Sequence, residues 1–284
     1  MKKAIITVYF PSQNVLKNIL GIAKQVDFAY VLDNSPQENG GQLDFSGVDN
    51  IKYICFGENL GLSLAFNKLF QIEEFEEDDY IVFFDQDSTV EEAHIDKLVQ
   101  EYELLQKNNI PVGVLGPVFY NTSNGLIEVP KAKTALTEHS FKVSSIITSS
   151  MLCKYKDIKD IGFFNERVFL DMADWDICWR IIESGKLCCM TDKIVLKHSL
   201  GTGEKKIGFL RIRVGSPFRE YYQTRECLYL LTRKYTPFKY KVRFVLMLTV
   251  RPIMHLLFLE NKKERIKYIF KGIKDFCAKK TGAL

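Results

Sequence analysis

Five short apolar runs, separated by stretches whose apolar residues recur every three or four positions, constrain this chain more than any other feature. The runs cover residues 4–10, 28–32, 51–56, 80–84 and 112–120. Between them, Val15, Ile19, Ile22, Ala23 and Val26 form one helical stripe, Leu62, Ala65, Phe66 and Leu69 a second, and Ile95, Leu98, Val99, Tyr102 and Leu105 a third. Strands alternating with helices in this way imply an α/β chain built on a doubly wound, mostly parallel sheet. Right-handed crossovers then bring the carboxyl ends of the first, second and fourth strands to one edge. Tyr9, Phe10, Asp33, Asp85 and Asp87 are expected to line a crevice there, where such sheets gather their ligands.

The fourth run ends in acid. Asp85-Gln86-Asp87 follows Phe84 directly, and residues two apart in extended chain point to the same side. The two carboxylates can therefore converge on a hard divalent cation that is itself bound to phosphates. The local sequence also permits an acidic turn capping a helix that starts near Glu91.

Beyond residue 120 the pattern loosens. Residues 121–145 are polar and read as loop or hairpin, 146–152 as a strand, and 157–161 as a short helix. Residues 171–184 form a helix stopped by Gly185, with Ile177 and Ile181 on one face and Trp175, Trp179 and Ile182 on another. A short strand over 194–197 ends at His198, and from residue 216 three helices follow, over 218–235, 240–258 and 262–277.

Composition narrows the function classes. At 284 residues and 46% apolar, the chain can bury a large core. Its start reads as a first strand rather than a signal peptide. Seven cysteines without a C-x-x-C pair fit reduced thiols and a cytoplasmic location. The net charge of +4 conceals a division: residues 205–284 carry 20 Lys/Arg against 5 Asp/Glu, hence +15, which leaves −11 for residues 1–204. An acidic front portion argues against a nucleic-acid partner. The basic tail suits an anionic membrane surface, or a set of helices with solvated basic faces. The apolar run 244–259 is short for a membrane span and is interrupted by Arg251, Pro252 and His255. Two regions are expected: residues 1–204, which hold the alternating strands and helices and the acidic strand ends, and a basic, mainly helical region over residues 205–284.

Six motifs occur in order: Val31-Leu-Asp-Asn-Ser35; Asn59-x-Gly61-x-x-x-Ala65-x-Asn67; Phe84-Asp-Gln-Asp-Ser88; Gly162-Phe-Phe-Asn-Glu166; Asp171-Met-Ala-Asp-Trp-Asp-Ile-Cys-Trp-Arg180; and His198-Ser-Leu-Gly201. Together they resemble the family 2 inverting glycosyltransferases of the GT-A fold, most of all the bacterial rhamnosyltransferases that build surface polysaccharides. The resemblance implies displacement at the anomeric carbon of a nucleotide-diphosphate sugar by a saccharide hydroxyl. Such a reaction needs a neutralised leaving diphosphate, a deprotonated acceptor hydroxyl and an in-line arrangement of the two. It implies manganese or magnesium as cofactor, with Asp87 as direct ligand, Asp85 touching ribose or metal-bound water, and His198 as second ligand or diphosphate contact. Asp33 is expected to hydrogen-bond the nucleotide base, Asn59, Gly61 and Asn67 to shape its pocket, and Arg225 to reach phosphate. Local sequence alone also reads Asp33 as an Asx-turn and Gly61 as a tight helix entry.

Three carboxylates compete for the base. Asp176 has Arg180 four residues on, the spacing of a surface ion pair. Asp174 has no such cation and lies in the first turns of its helix, where the dipole favours the ionised form a base requires. By position Asp174 matches the family's catalytic aspartate, although this chain has Ala173-Asp174 where the family often has Glu-Asp. Asp171, Trp175 and Asp176 are then the acceptor-binding candidates. The resemblance favours dTDP-L-rhamnose as donor, with a UDP-sugar as the alternative, and a lipid-linked saccharide acceptor at the inner face of the cell membrane. Two other readings compete: a haloacid-dehalogenase-type phosphohydrolase using Asp85 and Asp87, and a non-catalytic nucleotide-sugar-binding protein.

Overall fold

In the computed structural model, which describes residues 1–39, 43–121, 125–130, 133–198, 204–207, 210–213 and 215–284, the alternating runs become a layered sheet. β1 (Lys2–Val8), β2 (Phe28–Asp33), β3 (Ile51–Cys55) and β4 (Tyr80–Asp85) are joined by α1 (Gln13–Ala23) and α2 (Gly61–Ile72). All four run parallel, in the order β3-β2-β1-β4. β1 therefore lies between the strands that follow it, which is the switch point of a doubly wound sheet. The register pairs Val8 with Asp33 and Thr7 with Asp85. The two predicted acidic strand ends thus flank the end of β1, as the crossover argument requires.

Period-two burial divides each strand between two cores. Ile5, Tyr30, Leu32, Ile81 and Phe83 face α2 and the later helices. Ala4, Ile6, Val31, Val82 and Phe84 face α1 and α3 (His94–Lys107), whose stripe of Ile95, Leu98, Tyr102 and Leu105 is buried as expected.

Past α3 the sheet becomes mixed. β5 (Val112–Asn121) pairs in parallel with β10 (Leu187–His198), while β9 (Met151–Lys154) lies antiparallel between β4 and β5. Three short strands, β6 (Leu126–Glu128), β7 (Thr134–Ala135) and β8 (Ser140–Lys142), extend this part. The strand expected over 146–152 is corrected: only its end is β, and Thr148, Ser149 and Ser150 form a turn, with Ser150 at φ +64°. The strand expected over 194–197 begins earlier, at Leu187, and a register shift between Thr191 and Val195 obscures its periodicity.

α4 (Tyr155–Asp160) leads to α5 (Ala173–Glu183), which starts two residues later than its sequence suggests, so Asp171 sits in the preceding loop. The two expected faces of α5 are both used. Ile177 and Ile181 enter the sheet core, whereas Trp179 packs with Tyr229, Leu230, Tyr240 and Phe244. Those partners come from α6 (Arg219–Leu231) and α7 (Phe238–Phe258), which α8 (Lys262–Cys277) follows. The helices expected in the basic region are present, preceded by a hairpin of β11 (Glu204–Ile207) and β12 (Leu210–Arg213) that composition did not suggest. Among the described residues, no helix is long and apolar enough to cross a membrane.

Candidate active site

The carboxyl ends of β1, β2 and β4 build the site from backbone outwards. After β4, the amide of Ser88 donates to the Asp85 carbonyl at 3.0 Å and closes a turn around Gln86 and Asp87. Gln86 locks that turn to β1 and α1: its Oε1 accepts from the Tyr9 amide at 2.9 Å, and its carbonyl from Asn18 Nδ2 at 3.0 Å. Asp87 is exposed, and Tyr9 and Phe10 stand exposed beside it at the end of β1. A backbone bridge between Thr89 and Lys197 brings the end of β10 against the same turn. The His198 backbone ends that strand, but its side chain, and with it the expected ligand role, lies outside the described residues.

The turn at 148–150 ties three elements together. Asp174 Oδ1 accepts from the Thr148 amide at 3.0 Å and from the Thr148 hydroxyl. The Ser149 hydroxyl meets that of Ser88 at 2.5 Å, and Ser150 Oγ meets His94 Nε2 at 2.6 Å. Consecutive hydroxyl residues thus link the turn after β4, the start of α3 and the first turn of α5. Three short polar residues in a row are turn chemistry, a signal that the apolar residues on either side masked.

Asp85, Asp87 and Asp174 form one electrostatic group. The Asp85 side chain keeps some exposure, yet its carboxyl is set deep among surrounding atoms. Burial, with the charges of Asp174 and Asp87 added, pushes it up to about 7. Asp87 in the turn and Asp174 on α5 thus act on Asp85 at the end of β4, and an added cation would relieve the repulsion. Their all-oxygen chemistry suits magnesium or manganese. Among the described residues no group of three His, Cys, Asp or Glu side chains is placed to hold a metal ion.

The expected nucleotide-side residues hold neighbouring segments of the chain together. Asp33 is fully buried: Oδ1 accepts from the Ser35 amide at 2.8 Å, the Asx-turn pattern, and Oδ2 from Tyr53 at 2.6 Å and Asn39 at 3.0 Å. Asn67 clamps Phe164, donating to its carbonyl at 2.9 Å and accepting its amide at 3.0 Å. Asn59 accepts the Gly61 amide at 3.0 Å, and Asn34 donates to the Gly61 carbonyl at 2.9 Å.

Gly61 opens α2 at φ +69°, and a Cβ there would lie 2.4 Å from the Phe169 carbonyl oxygen. That carbonyl accepts the Leu62 amide at 2.9 Å. Gly61→Ala combines a left-handed backbone cost of about 1–2 kcal/mol with overpacking of about 1–3 kcal/mol. Chemical denaturation of this variant is expected to show a loss of about 3 kcal/mol; a loss below about 0.5 kcal/mol would contradict the close approach.

On the acceptor side, Asp176 pairs with Arg180 at 3.5 Å, but the expected surface bridge is instead buried. Asp176 also accepts from Tyr235 at 2.5 Å and Asn165 at 3.0 Å, which fastens α5 to the segment after α6. Trp175 is half-buried, stacked on Trp179 at 5.9 Å with the Arg243 guanidinium over its ring. Asp171 lies 3.5 Å from Arg219, and one of its oxygens is buried without a hydrogen-bond partner. Burial raises its pKa, and the Arg219 charge opposes the rise.

Arg225 is enclosed under the chain end, donating to the Tyr221 hydroxyl and the Gly282 carbonyl, both at 2.9 Å. Contact with a phosphate would require that end to move. Its neighbour Glu226 has a role that sequence reasoning missed: its buried carboxylate accepts the amides of Phe169 at 2.9 Å, Leu170 at 3.1 Å and Met172 at 3.0 Å. α6 thereby holds the loop that delivers α5.

Comparison with known proteins bears on the fold and the family. Residues 4–137 match the model of the family described as Glycosyl transferase family 2. The chain is 27% identical to the dTDP-rhamnosyl transferase RfbF of Shigella flexneri over 95% of its own length and 92% of that protein's. Among solved structures it is similar to S. aureus TarS residues 1–349 in complex with UDP-GlcNAc, at TM-score 0.56 and 17% identity, covering 97% of this chain and 80% of that one. It is also similar to GalNAc-T7 with UDP, GalNAc and Mn2+, at TM-score 0.55 and 11% identity, covering 98% of this chain and 56% of that one. These structural neighbours are GT-A glycosyltransferases.

Proposed function

We propose that this chain, whose residues 4–137 match the model of Glycosyl transferase family 2 and whose fold is GT-A, is an inverting rhamnosyltransferase. In this reading it moves L-rhamnose from dTDP-L-rhamnose to a saccharide hydroxyl on a lipid-linked precursor of a surface polysaccharide. The observation that carries the chemistry is that Asp174, held by the 148–150 turn at the start of α5, acts electrostatically, as Asp87 does, on Asp85 at the end of β4. The relative that acts on dTDP-rhamnose, matched over nearly its whole length, supports the donor.

Asp174, held by Thr148 at the amino end of α5, takes the proton of the acceptor hydroxyl. The hydroxyl oxygen attacks the anomeric carbon opposite the diphosphate, the sugar–diphosphate bond breaks, and the configuration inverts. A magnesium or manganese ion, when bound, supplies charge neutralisation to the diphosphate. Asp87 would hold it directly, with Asp85 beside it and His198 as a further ligand. Asp171 and Trp175 border the acceptor approach to Asp174. In this reading residues 1–204 carry the donor site and residues 205–284 brace it. The protein works at the cytoplasmic face of the membrane.

A panel of nucleotide sugars with magnesium or manganese tests this, reading nucleoside diphosphate release with and without saccharide acceptors. Turnover of dTDP-L-rhamnose is expected at least about tenfold above UDP-hexoses, and chelation should abolish it. Preference for a UDP-sugar would overturn the donor assignment. Phosphate release from simple esters, without nucleotide-sugar turnover, would restore the phosphohydrolase reading.

A further inference from the structure

α7 leaves an apolar face without a partner. Tyr240, Phe244 and His255 are buried against the rest of the chain. On the opposite side Val242, Val245, Leu246, Val250, Ile253 and Leu257 are exposed, Leu246 by 53%, Ile253 by 58% and Leu257 by 61%. At 100° per residue these six fall on one flank of the helix. From Val242 to Leu257 the ridge is about 24 Å long. A contiguous apolar surface of this kind marks a docking site in a folded chain.

Its surroundings are basic. α7 contains no Asp or Glu and carries Lys239, Lys241 and Arg243, while Arg251 is turned inward onto His255 at 3.3 Å. Residues 238–284 hold 12 Lys/Arg against 3 Asp/Glu. α8 adds exposed Phe270, 67% accessible, with Lys263, Lys267 and Lys274 exposed on the same helix. Apolar residues in a row, basic residues around them and no spanning helix among the described residues are the features of a helix lying in the plane of a bilayer interface.

We propose that the outer face of α7 seats the protein on an anionic lipid surface. A second copy of this chain is the other candidate occupant, but a symmetric contact would set two strongly basic faces against each other. An anionic leaflet instead gains attraction from each lysine and arginine near it. The location at a membrane rests on the functional reading above, whereas the surface itself is argued from exposure and charge.

The face also fixes the height of the chemistry. The inner side of α7 packs Tyr240 and Phe244 on Trp175 and Trp179, with ring centroids 4.7–6.1 Å apart. Trp175 follows Asp174 directly. Seating α7 on lipid therefore holds the amino end of α5 at a set distance from the leaflet, where a lipid-linked hydroxyl would arrive.

Flotation of the full chain with phosphatidylcholine vesicles, with and without phosphatidylglycerol, tests the proposal. The protein is expected to float with the anionic vesicles and to lose this in high salt. Leu246→Glu combined with Ile253→Glu should lower the bound fraction at least about tenfold while leaving donor hydrolysis in solution unchanged. Equal recovery of wild type and variant would overturn the proposal. So would absence of flotation together with a dimer, measured by sedimentation, that the variant dissociates. Flotation by a protein that turns over no nucleotide sugar would uphold the surface and count against the glycosyl-transfer reading.

Discussion

Asp174→Asn is expected to lower transfer about 10²–10⁴-fold while nucleotide affinity stays within about twofold. The asparagine Oδ1 can still accept the Thr148 amide, 3.0 Å from Oδ1 in the native chain, so the first turn of α5 keeps its place. What is lost is the capacity to take a proton. Because the Asp174 charge is one of those acting on Asp85, its removal should leave nucleotide binding unchanged or slightly tighter, not weaker. Calorimetric titration of dTDP and acceptor-dependent release of dTDP separate the two effects. Near-normal turnover would remove Asp174 from the role of base. Asp176→Asn is the contrasting control, since Asp176 is enclosed by Asn165, Tyr235 and Arg180 and should fail through stability.

Glu226→Ala is expected to cost on the order of 3–5 kcal/mol. It strands three backbone N–H groups, of Phe169, Leu170 and Met172, that have one shared acceptor. The melting temperature should fall by roughly 10 °C, and activity should fall with it as the loop before α5 loosens. Glu226→Gln keeps an acceptor oxygen and should recover part of the loss; equal stability of the alanine variant and wild type would refute the bracing role. Burial, with Asp171 nearby, pushes Glu226 up to about 8, against the pull of those amides. Its folded pKa exceeds its ordinary value of 4.5. The contribution of its proton to stability is therefore complete below that value and is lost as pH rises through about 8. Wild-type stability relative to the Gln variant should decline over this window.

The front of the molecule was legible because β1, β2 and β4 are buried on both faces and its helices are amphipathic, so periodicity reports packing directly. The acidic strand ends at Asp33 and Asp85 followed from crossover handedness alone. The part after β5 was less legible for physical reasons. β9 runs against its neighbours, the register of β10 shifts after Thr191, and the strands β6 to β8 span only two or three residues each. The turn at Thr148 was hidden by the apolar residues on either side of it. Glu226 was invisible because its partners are backbone amides about 55 positions away, and no spacing rule links them. Asp33 shows the opposite limit, since the sequence marked the position while the hydrogen bonds decide what the carboxylate does there.

The stack of Trp175 on Trp179 has an optical consequence. The chain has only two tryptophans, both on α5, one next to Asp174 and both against α7. Its intrinsic emission therefore originates in a single seam between the helix that carries the candidate base and the helix with the apolar outer face. Without any attached dye, the protein carries a fluorophore pair at the junction where acceptor arrival and lipid seating would both be felt.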